Sequence, residues 1–495
     1  MFKKPKKLER NVKIVQRGKR NCVYGTKVVW ATILIVCFSV ALSCRVERFR
    51  KMTVFVYVPE AQQVWLNQHV KKFGLKHNWK IEISTSNKLE NLPEILRLET
   101  RTGEKNVGLV CVPSEMAKSL VKSGLIKPLI EVCNPEKLET DFSEYLSVAR
   151  AECKIDGKYY YLPDRLEVFL LFYVKSKVRE VVQHWSIYRT QINTLLRNYN
   201  RFGLPRGYQL EADPNQWDFF DLVVVGYYFS HTPYDGLLVP RLAHRGRYYA
   251  GTVHELVTRI FAMGGNKSNL SSLLADPVVD MLQWESLFVK EQFYHPEMWD
   301  SGWAGNEILW QIIRKHVFVA YLQPNELFRI NESRQYFDSI GIAVLPKGVS
   351  LEIGADGQPQ RIGTRKSALH GWYWGIPVTS PDPKFSYKLA RFITSFNLQM
   401  EAAFSFGSMT VRQDVLDKIV KSSDTSWNYQ VFRMGQKQLK TGVEIIPDYL
   451  AHGSVGVSLL NLWRDICVQN HLVDRRRIKA VLKTYLEKTK QPSTY

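Results

Sequence analysis

From Thr53 the chain alternates between two spacings of apolar positions. "TVFVYVP" (53–59) is β-branched and aromatic and ends at a proline, which predicts a strand. "EAQQVWLNQHVKKFG" (60–74) carries apolar residues at helical spacing and stops at a glycine. "KIEISTS" (80–86) alternates as a strand, and "NKLENLPEILRLE" (87–99) reads as helical with an internal proline. "VGLVCVP" (107–113) is a continuous apolar strand. Ser114 is the expected N-cap of the helix that follows, and Gly124 the expected residue just past its end. This alternation predicts a parallel sheet covered by helices. Ligands of such sheets sit at the carboxyl ends of the strands. Those ends are Pro59-Glu60, Thr85-Ser86 and Pro113-Ser114-Glu115.

The pattern then changes. In "KIDGKYYYLPDRLEVFLLFYVK" (154–175), Pro163 and the charged pair Asp164-Arg165 stand directly before a dense apolar run, Val168–Val174. A proline that fixes φ, followed by two charges and a buried strand, predicts a crossing between two lobes with the charges facing the cleft. Beyond lies a mainly helical middle, about 176–330, with an aromatic-rich insertion at 215–236 and the basic "HRGRYY" at 244–249. "IGIAVLPKG" (340–348) reads as a strand, 370–396 as a short strand and a helix, and 426–490 as helical with a basic end at Arg475–Arg477. No internal repeat or low-complexity linker interrupts 52–495.

Length and composition sharpen this picture. A chain of 495 residues exceeds what one hydrophobic core supports, so two lobes are expected. At 45% hydrophobic and 23% charged residues the chain is a folding one. The net charge of +21 is uneven: residues 1–27 hold ten Lys and Arg and one acid, Glu9, which leaves +12 for the rest. Without a zinc-finger or RNP-like motif, the charge does not argue for nucleic acid. The basic tail (1–27, a cytoplasmic n-region) leads into the uncharged run "VVWATILIVCFSVALSC" (28–44). Two readings stand for it. One is an export signal with Cys44 as a lipidation site; the other is an uncleaved anchor helix flanked by Arg45, Arg48, Arg50 and Lys51. Both put residues 52–495 outside the inner membrane, in the periplasm or at the cell surface.

None of the seven cysteines forms a CxxC pair, so zinc or thioredoxin-like chemistry is not indicated. Cys133 and Cys153 are a candidate disulfide in an oxidising compartment, against the alternative of small buried thiols. His244 and His370 are isolated in sequence and suggest no metal set. There is no HExxH, G-x-S-x-G, P-loop or G-x-G-x-x-G after a strand. The residues thus predict neither catalysis nor a cofactor.

The order of motifs resembles the family 1 extracellular solute-binding proteins, the maltose-binding-like receptors of bacterial ABC importers. "VGLVCVPSEMAKSLVKSGLIKPL" resembles their third strand, its helix and the turn after it. "DGKYYYLPDRLEVFLLFYVKSKV" resembles their first crossover. "FAMGG" with "LLADPVVDMLQWESLFVKEQF", "KHVFVAYLQPNELFRI", "IGIAVLPKG" and "GWYWGIPVTSPDPKFSYKLARFITSF" with "FGSMTVRQDVL" follow in the family's order over about 53–490. Val317, Gln323-Pro324 and Met409-Thr410 depart from the usual residues, and the 197–250 insertion is long.

The resemblance implies an α/β, type II periplasmic-binding-protein-like fold of two discontinuous lobes joined by crossover hinges. Lobe one is expected at 52–163 plus 371–425 and lobe two at 164–370 plus 426–495. It also implies capture of a small solute, with a membrane permease as partner. Sugars present flat CH faces and many hydroxyls, so their sites need aromatic platforms and planar polar groups. Trp372 and Trp374, on alternating positions of one strand, are the platform candidates, and Asp164 and Arg165 the hydrogen-bonding ones. Glu60, Ser114 and Glu115 sit at strand ends; Trp303, Gln323 and Asn325 occupy segments that the resemblance places near ligand; Arg245 and Tyr248 of "HRGRYY" are candidates to reach the cleft from lobe two, against a merely basic surface, and Arg412 to contact ligand or cap its segment. Other readings are a carbohydrate-active enzyme using the same cleft, a membrane-tethered sensor or scaffold, and a basic membrane-surface protein with no small ligand.

Overall fold

A computed structural model describes residues 49–85, 89–266, 268, 272–330, 339–446 and 454–490. The segments 1–27 and 28–44, Cys44 and Ser86 lie outside these. Among the described residues, no helix is long and apolar enough to cross a membrane.

The alternation read from the first third of the chain becomes β1 (Arg50–Phe55), α1 (Glu60–Leu75), β2 (Trp79–Ser84), α2 (Leu92–Thr102), β3 (Val107–Pro113) and α3 (Ser114–Lys122). β1 pairs in parallel with β2 and with β3, as strand–helix–strand units require. Gly124 ends α3 as expected: at φ +69° its N–H bonds Val121 O (2.9 Å) and the next N–H bonds Leu120 O (3.0 Å), a Schellman closure. Ser114 differs from expectation. Pro113 takes the N-cap position and Ser114 is already helical, with no cap hydrogen bond from its side chain.

The chain then adds β4 (Tyr161–Glu167), β5 (Leu170–Val174), β6 (Leu242–Ala243), β7 (Val319–Leu322), β8 (Ile340–Ala343), β9 (Ser367–Gly375), β10 (Met409–Thr410) and β11 (Val443–Ile445). The larger sheet has seven strands in the order β10-β4-β9-β3-β1-β2, with β11 beside β9. The smaller has four, in the order β8-β5-β7-β6. Each sheet owns a separate hydrophobic core. Val168 packs in the core of the larger sheet and Phe169 in the other; Ala368 and Leu369 divide the same way on the return. The chain therefore crosses at 168–169 and 368–369, next to the adjacent antiparallel strands β4 and β9, and a third time after β11, where Ile445 packs with the larger sheet and Ile446, Leu459 and Trp463 with the other. The strand that carries Pro163 runs on to Glu167 before the first crossing.

In the second lobe the aromatic insertion forms α4 (Phe219–His231), buried around nearly its whole circumference and started by an Asp218/Asp221 capping box. Beside it pack α5 (Ala250–Ala262) and α6 (Asp276–Lys290), both almost wholly buried. Cys111, Cys133, Cys153 and Cys467 are all free thiols, so Cys133 and Cys153 are not paired.

Candidate functional site: the cleft between the lobes

Between the two sheets lies a cavity of about 480 Å³, within the range typical of small-ligand sites. The first lobe supplies Tyr57, Gln62, Arg165 and Trp372; the second supplies Pro324, Asn325, Phe328 and Arg329. A loop around Gly407 closes one side. Gly407 ends the helix Phe396–Phe406 at φ +67°, and a Cβ there would lie 2.4 Å from Phe328 Cβ. Only glycine lets this loop approach the second lobe so closely.

The cleft floor follows from strand register. Trp372 on β9 lies directly opposite Arg165 on β4, but Tyr373 pairs with Pro163, so Asp164 is an extra, bulged residue. Consecutive side chains of a regular strand point to opposite faces. The bulge cancels this, and Asp164 Oδ2 accepts a 2.7 Å hydrogen bond from Arg165 NH1. Asp164 Oδ1 accepts another from Trp374 Nε1 (2.7 Å), and its carbonyl accepts from Gln399 Nε2 (2.8 Å). So held, the Arg165 guanidinium lies 4.4 Å from the centre of the Trp372 ring, a cation–π distance. Burial works against the Arg165 charge, but its neighbours, Asp164 foremost, outweigh it and raise its pKa. Tyr57 lies nearly parallel to Trp372, with ring centroids 6.0 Å apart. Tyr57 is 48% exposed and Trp372 8%, so the two rings form a platform that is open at one end.

Two residues that line this cavity carry an unsatisfied polar atom. Among the described residues, Trp372 Nε1, a donor, and Asn325 Oδ1, an acceptor, have no hydrogen-bond partner although both are buried. They come from opposite lobes. A buried polar group without a partner costs about 1–3 kcal/mol, and a solute hydroxyl, which both donates and accepts, relieves such a cost.

The structure distributes the other candidates away from the cleft. Glu60 is exposed at the start of α1, while its neighbours Pro59, Ala61 and Gln62 line the cavity. Trp374 and Asp164 sit behind Arg165 in a small side recess and brace it. Ser114 is buried and donates to Glu115 (3.3 Å), which faces two histidines. Gln323 caps a short helix, α7 (Pro324–Arg329), through its backbone N–H to Glu326. Trp303 is buried against His295, and Tyr248 donates to Asn461 at the surface (3.0 Å). Arg412 is buried and pairs with Glu144 and Asp414, both at 2.7 Å.

Arg245 is the largest departure. It is fully buried in the second lobe, bonded to Glu255 (3.0 Å) and Glu326 (2.6 Å). The network continues through Arg259 to Glu285 (3.2 Å), which also meets His244 (2.8 Å), Tyr294 (2.9 Å) and Trp463 (3.2 Å). Because Glu326 lies in α7, Arg245 holds in place the helix that presents Asn325. Burial alone would raise the pKa of Glu285, but Arg259 and His244 hold it down to about 2. A depressed carboxylate contributes stability that is complete above its unfolded pKa, near 4.5, and is lost as pH falls towards 2. We expect urea titrations to show on the order of 3 kcal/mol less loss of stability between pH 5 and about pH 2 in Glu285→Gln than in the parent chain. Equal acid slopes would show that the network does not hold this charge.

Sequence reasoning missed Tyr57, Gln62, Phe328 and Arg329. Tyr57 had a signal, an aromatic residue at the carboxyl end of the first strand pattern. The others lie on helix ends whose orientation depends on the packing of the lobes.

No family model matches the chain, and no curated protein does. Solved structures do match. Maltose-bound MalE3 of T. maritima superposes with a TM-score of 0.61 at 16% identity, over 88% of this chain and 99% of that one. A solute-binding protein of Thermotoga lettingae bound to α-D-tagatose gives 0.63 at 16% identity, over 88% and 99%. The maltotriose-binding protein of Thermus thermophilus gives 0.59 at 12% identity, over 89% and 100%. The chain has their two-lobe fold. That fold was expected from the motif order, and the superpositions cover 88–90% of this chain.

Proposed function

We propose that this chain is a non-catalytic, extracytoplasmic solute receptor that captures an oligosaccharide in the interlobe cleft and hands it to a membrane permease of the ABC class. The carrying observation is the pairing of an aromatic platform, Trp372 and Tyr57, with unsatisfied polar atoms from both lobes, Trp372 Nε1 and Asn325 Oδ1. A sugar ring stacks its CH face on the indole while its hydroxyls meet Asn325 and the Arg165 guanidinium. A solute that bridges both lobes favours the closed state and shifts the population towards it. Motion about the crossings at 168–169, at 368–369 and after Ile445 needs only a few backbone torsions at each. The neighbours that bind maltose, maltotriose and tagatose support a carbohydrate as the solute. The basic N-terminal tail and the apolar run 28–44 support export, with retention at the membrane through that run or a lipid on Cys44. Retention would raise the receptor's effective concentration at its permease.

A thermal-shift screen of residues 49–495 against maltose, maltotriose, longer maltodextrins, tagatose, polyols and amines tests this. A sugar at a hundred times its Kd adds about 2.7 kcal/mol to stability and raises the melting temperature by several degrees. Reducing-end analysis of the same mixtures should show the sugar intact. No shift from any sugar would overturn the reading, and consumption of the oligosaccharide would replace it with the enzyme.

A further inference from the structure

Behind the cleft, at the hinge, three side chains far apart in sequence converge. Glu115 lies in the first turn of α3, His370 on β9 just past the second crossing, and His254 on α5 of the second lobe. All three are buried. Glu115 Oε1 is 2.8 Å from His254 Nε2 and 2.6 Å from His370 Nδ1. Both contacts are short enough for hydrogen bonds but wrongly directed for them: Glu115 Oε1, His254 Nε2 and His370 Nδ1 have no hydrogen-bond partner among the described residues. All three donor atoms lie within 4.8 Å of one another.

We propose that Glu115, His254 and His370 form a binding site for a divalent transition ion of the zinc class, which clasps the second lobe to the first at the hinge. The donor set is two imidazoles and one carboxylate without a thiolate. This set suits zinc, nickel or cobalt, whereas magnesium and calcium prefer six or more oxygens. Small side-chain rotations that part Glu115 Oε1 from each imidazole nitrogen by roughly half an ångström seat one ion among the three atoms with bonds of about 2.0–2.2 Å. An ion there gives each of three buried atoms, which contact one another as ion pairs but make no hydrogen bond, a directed bond at once. The surroundings already orient the ligands. Ser114 Oγ donates to the other carboxylate oxygen of Glu115 (3.3 Å), leaving Oε1 to face the histidines. His370 Nε2, the ring nitrogen away from the cluster, faces Glu167 Oε2 at 4.0 Å. At 4.0 Å this contact is electrostatic and not a hydrogen bond, and the negative charge behind the ring favours a cation bound in front of it.

The position gives the ion a role. α5 already touches β9 there, since Thr258 Oγ1 accepts from the Ala368 N–H (3.1 Å). Trp372, a wall of the solute cleft, lies two residues beyond His370, so the metal site and the cleft share one strand, β9. The ion would stiffen the hinge and couple zinc binding to solute binding.

The test uses the full chain in detergent, stripped with a chelator and then dialysed against zinc alone, nickel alone or magnesium alone. One zinc per chain should be retained and magnesium not. The melting temperature should rise with zinc in the parent protein. His254→Gln and His370→Gln should each weaken zinc binding at least tenfold and abolish the rise. Anomalous scattering at the zinc edge from crystals of the parent protein keeps the test decisive should either variant fold poorly: the ion should lie within bonding distance of all three side chains. A stripped parent chain that takes up no zinc, zinc retained undiminished in both folded variants, or an anomalous peak elsewhere would each overturn the proposal.

Discussion

Replacing Trp372 by alanine will weaken oligosaccharide binding about a hundredfold, near 3 kcal/mol, measured by titration calorimetry on the folded fraction. Three losses coincide. The stacking face disappears from the cleft floor. The Nε1 donor goes with it. Arg165 loses the ring that carries its guanidinium at 4.4 Å, so a polar group that would meet the sugar is no longer fixed. Trp372→Phe keeps the face and loses only the donor, and should fall between the two. Trp303→Phe is the control, because Trp303 is buried outside the cleft, and its affinity should equal that of the parent. If Trp372→Ala bound sugar as tightly as the parent, the platform would not be the site.

Arg245→Ala will cost about 3–5 kcal/mol of stability, because it leaves the half-buried Glu326 without its cation and the fully buried Glu255 with only Arg259 at 3.5 Å. Urea unfolding followed by tryptophan fluorescence measures it. The same variant should lose solute affinity, since α7 and Asn325 are held through Glu326. Tyr248→Phe, which removes one exposed hydrogen bond, should stay within about 0.5 kcal/mol of the parent. A loss below 1 kcal/mol in Arg245→Ala would mean that water reaches the network.

These two variants mark what was legible in the sequence. Trp372 and Arg165 could be picked out because a local pattern, a proline and charged pair before an apolar run and two tryptophans on one strand, reflects the geometry of a crossing. The strands and helices of residues 50–122 were legible for the same reason: their periods of two and 3.6 are local. Arg245 and Arg412 were not, because a buried arginine and an exposed one look alike in sequence until the acids that meet them, Glu326 and Glu144, are brought from elsewhere in the chain. Glu115, His254 and His370 lacked any motif for the same reason, and the expectation of no metal set came from reading spacing along the chain. The bulge at Asp164 was also hidden, since the pairing that defines it involves a strand two hundred residues later.

That late strand has a further consequence. β9 lies between β3 and β4 in the larger sheet, yet it leaves the ribosome long after both. Until residues 367–375 emerge, β3 presents a bare edge of apolar backbone, a template for stray pairing with another nascent chain. Synthesis from the N-terminus therefore cannot finish the first lobe before most of the second has been made. Export machinery that keeps the polypeptide unfolded until translocation is complete would spare it that exposure, and expression without export should yield aggregates seeded by the first three strands.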